Sequence, residues 1–343
     1  MTAPTRSGAA ARSPAEMHMP TNEVRVAFDA MASRNEIVVD GLAPAAARPA
    51  IVAAIDEVRR IEAKYSRYRA DSVLSRINAS AGSEYGVEVD AETAGLLDFA
   101  ASLFEASGGR FDVTSGPLRR AWDFRAGIVP DAATLAPLLA AIGWRHVERD
   151  GARVRLARPG MELDFGGIGK EYAADRARAV LARAGVRHGF VNLAGDLSLV
   201  GPRADGGAWS LGIQHPRAHD DPARSATRLQ DARAATCASV HLASGALATS
   251  GDYERFFVTP EGRRCCHILD PRDGQPVTHW QSVSVVAPTC AAAGALATIA
   301  MLLGPDALAF LRAQGIAFFA VDRDGAFHAC DIDVPFRSTK AHP

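Results

Sequence analysis

Several large functional classes are excluded by what this sequence lacks. No run of five or more Lys and Arg residues occurs, and the formal net charge is -1 over 343 residues. The counterion release that drives nucleic-acid binding therefore has no evident source. Residues 1–22 mix Ala, Pro, Ser and Arg without the apolar run of about 7–15 residues that a secretory signal needs, so the sequence predicts a disordered extension and a cytoplasmic protein. No stretch approaches the ~20 consecutive apolar residues of a membrane span. The nearest candidate, 283–303, contains Ser, Thr and Pro and reads as a buried strand and helix. The five cysteines, an odd count with no CxxC pair, argue against a disulfide framework or a structural zinc site. Cys265 and Cys266 are adjacent, and neighbours in an extended segment point to opposite faces, which disfavours a redox pair.

The composition is that of a globular protein, 48% hydrophobic and 22% charged. Alternating apolar patterns predict strands over 24–28 and 37–40, flanking Met31, Ala32, Ser33 and Arg34. Ile51, Ile55, Val58, Glu62 and Tyr65 recur at helical spacing. A second helix is expected from an Asp90 cap, with Leu96, Phe99, Leu103 and Phe104 inward and a stop at Gly108 and Gly109. A β segment ending at Asp164 then turns through Gly166 and Gly167 into a helix from about Lys170, with Ala173, Ala177, Val180 and Leu181 inward and Gly185 closing it. The stretches 190–201 and 209–214 read as a hairpin, and 215–235, rich in Asp, Ala and Arg, as an exposed insertion. Further strands are expected over 246–250, 265–269 and 283–287, then a helix over 292–303 and a last helix and strand reaching Asp322. Hairpins interspersed with separate helices predict an α+β fold rather than a doubly wound sheet. The length allows one large unit over 23–335, or two intertwined subdomains, with a tail at 336–343.

Three segments carry candidate chemistry. Asp164-Phe-Gly-Gly-Ile-Gly-Lys170 sets glycines and a lysine before a helix start, where free N–H groups and a cation suit a phosphate. It has neither GxGxxG nor GxxxxGK[ST] spacing, and a strand-to-helix turn often needs glycine for steric reasons alone. Thr249-Ser-Gly-Asp-Tyr-Glu-Arg255 is followed by His267-Ile-Leu-Asp270-Pro-Arg-Asp-Gly274, read as a hairpin ending in a turn. The ordinary pKa of His267, ~6.5, suits proton transfer near neutrality; a histidine merely satisfied by a nearby carboxylate is the plainer reading. By itself, Gly108-Gly-Arg-Phe-Asp112-Val-Thr-Ser-Gly-Pro117-Leu reads as a helix exit.

Together these segments resemble, in order, motifs of the ApbE family of FAD:protein FMN transferases. Tyr68-Arg-Ala-Asp-Ser72-Val-Leu-Ser75-Arg-Ile-Asn78 and Asn192-Leu-Ala-Gly-Asp196 resemble two further motifs, and the likeness runs from about 26 to 304. It implies an α+β, ApbE-like fold of mixed, mainly antiparallel sheets with packed helices. It also implies a transferase that binds FAD with Mg²⁺ on its diphosphate and moves FMN to a Thr or Ser hydroxyl of an acceptor flavoprotein, releasing AMP. By the match, His267 is the proton-transfer residue and Asp270 orients it. Met31, Tyr68, Arg110, Phe111, Asp112, Gly166, Lys170, Tyr172 and Ile268 fall at flavin-nucleotide positions.

The match departs at the metal. Where relatives usually carry Ala-Asp-Ala-Leu-Ala-Thr, this chain reads Ala293-Gly-Ala-Leu-Ala-Thr298. Gly294 offers no carboxylate, which leaves Thr298 and the Gly169 carbonyl as neutral ligands beside the substrate's phosphate oxygens. On this reading Gly294→Asp should tighten Mg²⁺ dependence. Met31-Ala-Ser stands for the usual Met-Gly-Thr, and Glu171 stands where glycine is common. Two alternatives share the site: a non-catalytic FAD-binding paralogue, and an FAD pyrophosphatase using water as nucleophile.

Overall fold

The computed structural model describes residues 22–218 and 236–332. Its frame is an eight-stranded sheet in which every neighbouring pair is antiparallel. Strands β1 (Val24–Ala30) and β2 (Ser33–Val39) form one edge, joined by a turn in which Met31 and Ala32 both have positive φ, 54° and 56°. That is the backbone twist a tight hairpin favours. The hairpin β6 (Gly189–Leu193) and β7 (Asp196–Gly201) follows in the sheet, then β10 (Ala246–Gly251), β13 (Trp280–Ala287), β14 (Ala317–Asp322) and β15 (Phe327–Cys330).

Both faces of this sheet are covered toward its middle, which explains why strands such as β13 and β14 are almost continuously buried. Ile37 and Val39 point into the main core beneath the helices, whereas Val38 between them points into a second cluster with Phe190, Leu199 and Phe319. The second cluster is closed by a two-stranded hairpin, β8 (Trp209–Gln214) with β9 (Thr236–Leu242). The main core is closed by α1 (Pro44–Tyr65), α5 (Gly169–Arg183) and α6 (Cys290–Leu303). Side chains such as Phe318 and Ile37 are fully buried there, each contributing roughly 1.5–3 kcal/mol.

Smaller elements build the rim. Helices α2 (Val73–Ala79) and α3 (Ala91–Ala106) follow α1, and strands β3 (Val87–Glu88), β4 (Val147–Asp150) and β5 (Arg153–Leu156) pair in the order β3-β5-β4. Helix α4 (Ala132–Leu139) precedes β4, the ribbon β11 (Phe256–Val258) and β12 (Arg264–Cys266) stands apart, and α7 (Ala307–Ala313) leads into β14.

The expected α+β class holds, and many local boundaries follow from caps. Asp90 accepts the Thr93 N–H at 3.0 Å, Gly108 and Gly109 take positive φ at the end of α3, and Gly185 does so after α5. Helix α1 begins ahead of the stripe from Ile51, with Pro44 in its first turn, where a missing N–H costs nothing. Three expectations need correction. The stretch before Asp164 is not a strand; it makes one isolated bridge, Glu162 with Ser115. The hairpin near 190–201 is β6 with β7 alone, and Trp209–Gln214 pairs instead with Thr236–Leu242 across the predicted insertion. Strand β12 ends at Cys266, one residue before His267. The insertion beyond 218, the extension up to 21 and the tail lie outside the described residues.

The 283–303 stretch is the expected buried strand and helix. The helical run Cys290–Ala313 is long and apolar enough to span a membrane by composition, but half of that apolar window is buried within this fold. Cys265 and Cys266 are both fully buried as free thiols.

Candidate active site

The chemistry collects where α5, α6, β7 and β10 meet. Just beyond β12, His267 is tied to the residue before β11: its N–H donates to the Arg255 carbonyl at 3.0 Å, and Nδ1 lies 3.3 Å from the same oxygen. A short turn follows, closed by Asp270 N–H to the Gln275 carbonyl, Gly274 N–H to Asp270 and Val277 N–H to Ile268. Trp122 fixes it from outside by donating Nε1 to the Gly274 carbonyl at 2.8 Å. His267 is thus held by backbone geometry on a rigid corner.

Its surroundings are cationic. Desolvation first, and then the Arg255 charge, hold the His267 imidazole down at about 4; the Arg255 carbonyl pulls the other way, and Lys170 and Arg67 add smaller lowering effects. A neutral imidazole among three cations is a base already deprotonated near neutrality, set in a field suited to phosphate oxygens. Arg67 also pairs with Asp164 at the head of the glycine turn, and Asp164 accepts the Gly166 N–H at 2.8 Å. The exposed Tyr68 ring lies under the Arg67 guanidinium at 5.2 Å, and the hydrogen bond from Arg67 draws its hydroxyl below the usual phenol range. Gly167 backs onto the Phe111 ring so closely that a Cβ there would sit 3.1 Å from it. Phe111 is buried in the main core and Ile268 packs against that core's edge.

Lys170, in the first turn of α5, reaches Asp196 of β7 at 2.5 Å. Burial opposes its charge, but Asp196 and Glu171 outweigh that and hold the ammonium above its ordinary range. Asp196 also accepts the Thr249 N–H at 3.0 Å. One residue on, Ser250 shares a 2.8 Å hydroxyl contact with Thr298 of α6. The glycine turn, the segment leading to His267 and the late threonine helix therefore meet through Arg67, Lys170, Asp196 and Ser250.

Glu171 is the unexpected member. Its carboxyl is buried and interacts directly with that of Asp196, and Oε2 accepts no hydrogen bond from any N–H or hydroxyl group. Burial first, and then the Asp196 charge, push its protonation well up from the usual carboxylate range. Its side chain fills the space beside Gly294: a Cβ built there would lie 3.0 Å from Glu171 Cδ and 3.2 Å from Oε1, with Cγ closer still. Asp175, five residues after Lys170 on α5, ties the two helices together. It accepts the Cys290 and Ala291 N–H groups at the start of α6, each at 2.9 Å, and the Ser198 hydroxyl at 2.7 Å.

Other predicted residues serve different contacts. The Asp270 carboxylate is engaged by Arg272, whose Nε is 2.9 Å away, and not by His267; desolvation works against its charge, and the Arg272 bonds keep its pKa low. The orienting bond expected from Asp270 is thus replaced by the Arg255 carbonyl. Asp112 accepts the Thr114 N–H and hydroxyl and the Trp144 N–H, so both of its oxygens organise the loop. Arg110 donates to the Leu302 carbonyl at 3.3 Å, at the end of α6. Tyr172 turns toward α3, its hydroxyl donating to Glu92 at 3.0 Å. Met31 donates its N–H to Glu62 of α1 at 2.7 Å. Gly169 opens α5 beside Phe165, its N–H on the Phe165 carbonyl at 2.6 Å. Among the described residues, no three His, Cys, Asp or Glu side chains gather as a metal site.

Known proteins share this fold. A model of the ApbE family matches residues 28–320. An FAD:protein FMN transferase of Treponema pallidum is 33% identical over 299 residues, covering 79% of this chain and 78% of its own. An ApbE protein from Thermotoga maritima superposes with a TM-score of 0.79 at 31% identity, over 90% of this chain and 97% of its own. A Pseudomonas stutzeri flavinyl transferase ApbE in its apo form superposes at 0.76 with 29% identity, over 92% and 96%.

Proposed function

We propose that this chain, which belongs to the ApbE family, is a transferase that takes FAD, moves its FMN half to a Thr or Ser hydroxyl of an acceptor flavoprotein, and releases AMP. The observation that carries this reading is the neutral His267 held among Arg255, Lys170 and Arg67. Transfer from a dinucleotide needs a proton acceptor for the incoming hydroxyl and positive charge against the diphosphate, with little covalent work by the protein.

In this mechanism His267 takes the proton as the acceptor oxygen bonds to the FMN-side phosphorus. The bond from that phosphorus to the bridging oxygen breaks, and the electron pair leaves with AMP. Arg255, Lys170 and Arg67 hold the phosphate oxygens and oppose the charge developing on the leaving group. Arg67 and Lys170 reach the ligand by exchanging their carboxylate partners, Asp164 and Asp196, for phosphate. The Gly166 N–H, bonded to Asp164 in the unliganded chain, becomes a neutral donor close by when that carboxylate turns away. Bound Mg²⁺ would supply charge neutralisation on the diphosphate; Thr298, the Gly169 carbonyl and a carboxylate are oxygen ligands of the kind it takes. The unpartnered, buried Oε2 of Glu171 makes the chain fit such an ion.

The test is covalent attachment. The chain incubated with FAD, Mg²⁺ and a Thr-bearing acceptor should leave flavin fluorescence on the acceptor band of a denaturing gel, and His267→Asn should reduce the rate by at least ~100-fold. An acceptor that stays dark with the unaltered chain refutes the reading.

A further inference from the structure

We propose that Glu171 is this protein's carboxylate ligand for a divalent cation, delivered from α5 into the space that the missing side chain at Gly294 of α6 leaves open; the proposal rests on the transferase reading above.

Three observations converge on it. The Glu171 side chain lies against Gly294, on the helix face that carries Thr298 one turn later. Glu171 Oε2 is buried and unpartnered, which is costly for a carboxyl unless something outside the protein's own hydrogen-bonding inventory occupies its lone pairs. The neighbouring groups supply oxygen: the Asp196 carboxylate interacts with Glu171, and Thr298, one turn beyond Gly294 on α6, carries a hydroxyl in contact with that of Ser250. Hard divalent ions select oxygen donors, and protein sites of this kind combine a carboxylate with hydroxyl, carbonyl and substrate oxygens.

The geometry also explains why Gly294 tolerates no side chain. Any Cβ there would collide with Glu171, so the two positions form one unit in which a carboxylate comes from one helix or the other, not both. In the unliganded chain Asp196 is engaged by Lys170 and the Thr249 N–H, whereas Glu171 Oε2 accepts from no N–H or hydroxyl group. Its place is at the junction of α5 and α6, which Asp175 locks in register.

The experiment separates flavin binding from metal binding. FAD binding is followed by flavin fluorescence in metal-free buffer, and Mn²⁺ binding by loss of the free-ion EPR signal at saturating FAD. Glu171→Gln, which keeps the size and removes the charge, should leave metal-free FAD affinity within about twofold and weaken Mn²⁺ at least tenfold. The double variant Glu171→Gly, Gly294→Asp moves the carboxylate back to α6 and should recover Mn²⁺ affinity to within a few-fold. Mn²⁺ stabilisation of the melting temperature gives a second readout that needs no turnover. Equal Mn²⁺ affinity in the unaltered chain and Glu171→Gln, or no Mn²⁺ bound by either, overturns the proposal and makes Glu171 and Asp196 a proton-sharing pair. Loss of FAD binding by the unaltered chain would instead count against the transferase reading.

Discussion

Glu171 and Gly294, on different helices and far apart in the sequence, share one volume: the carboxyl of the first lies where the side chain of the second would begin. Gly294→Asp by itself therefore does not simply restore a missing acid, as its position in the sequence suggests. It forces two carboxyls into one buried space. The single variant should lose roughly 1–3 kcal/mol of stability. Glu171→Gly in the same chain should recover most of it, a coupling that additive sites would not show. Denaturant melts of the two single variants and the double variant measure this; purely additive losses would contradict the shared volume.

His267 sets the pH response. Its folded pKa, near 4, lies below the ~6.5 expected when unfolded, so the unfolded chain binds more protons between those values. His267 therefore favours folding less as pH falls through that window. In kcat/KM, which reports the free enzyme, the acid limb due to His267 should lie well below 6. Bound diphosphate offsets the field of Arg255, Lys170 and Arg67, so the limb in kcat should lie at higher pH. Arg255→Met should raise the limb in kcat/KM. Paired pH profiles decide this, and two coincident limbs at 6.5 would argue against the cationic field.

Asp175 holds α5 to α6 through two accepted hydrogen bonds and to β7 through a third. Removing one charged partner and leaving buried N–H groups unpaired predicts a loss of about 2–5 kcal/mol for Asp175→Ala, with Asp175→Asn losing less. Chemical denaturation at neutral pH measures both.

The β1–β2 turn carries a local strain. Ala32 has φ 56°, a region that costs a Cβ-bearing residue roughly 1–2 kcal/mol. Ala32→Gly should stabilise the protein by about 0.5–1 kcal/mol after glycine's own entropic cost is counted. A lowered melting temperature would mean that the Ala32 methyl makes packing contacts worth more than the strain.

Local chemistry was legible in the sequence, and long-range pairing was not. Asp90 before an apolar stripe announces the start of α3, and glycines at 108, 109 and 185 announce helix ends, because caps act within a few residues. The motif around His267 could be read as a site in the same way, since the turn that holds it closes locally. The pairing of Trp209–Gln214 with Thr236–Leu242 was misread because the next apolar segment in sequence is not the next strand in space. Asp270 looks like the natural partner of His267 three residues earlier, yet Arg272 captures it from two residues away. Arg67 carries no motif signal, and its place near His267 depends on how α1 ends against the glycine turn. Glu171 read as a departure from the family pattern, and only packing reveals that it and Gly294 share one volume.

The most direct measurement is the stoichiometry of the reaction. With FAD, Mg²⁺ and a Thr-bearing acceptor, AMP released and flavin bound to acceptor should rise together one for one, and AMP release should stop when the acceptor is withheld. AMP appearing at the same rate without acceptor, accompanied by free FMN, would mean that water is the nucleophile at His267 and would contradict the account.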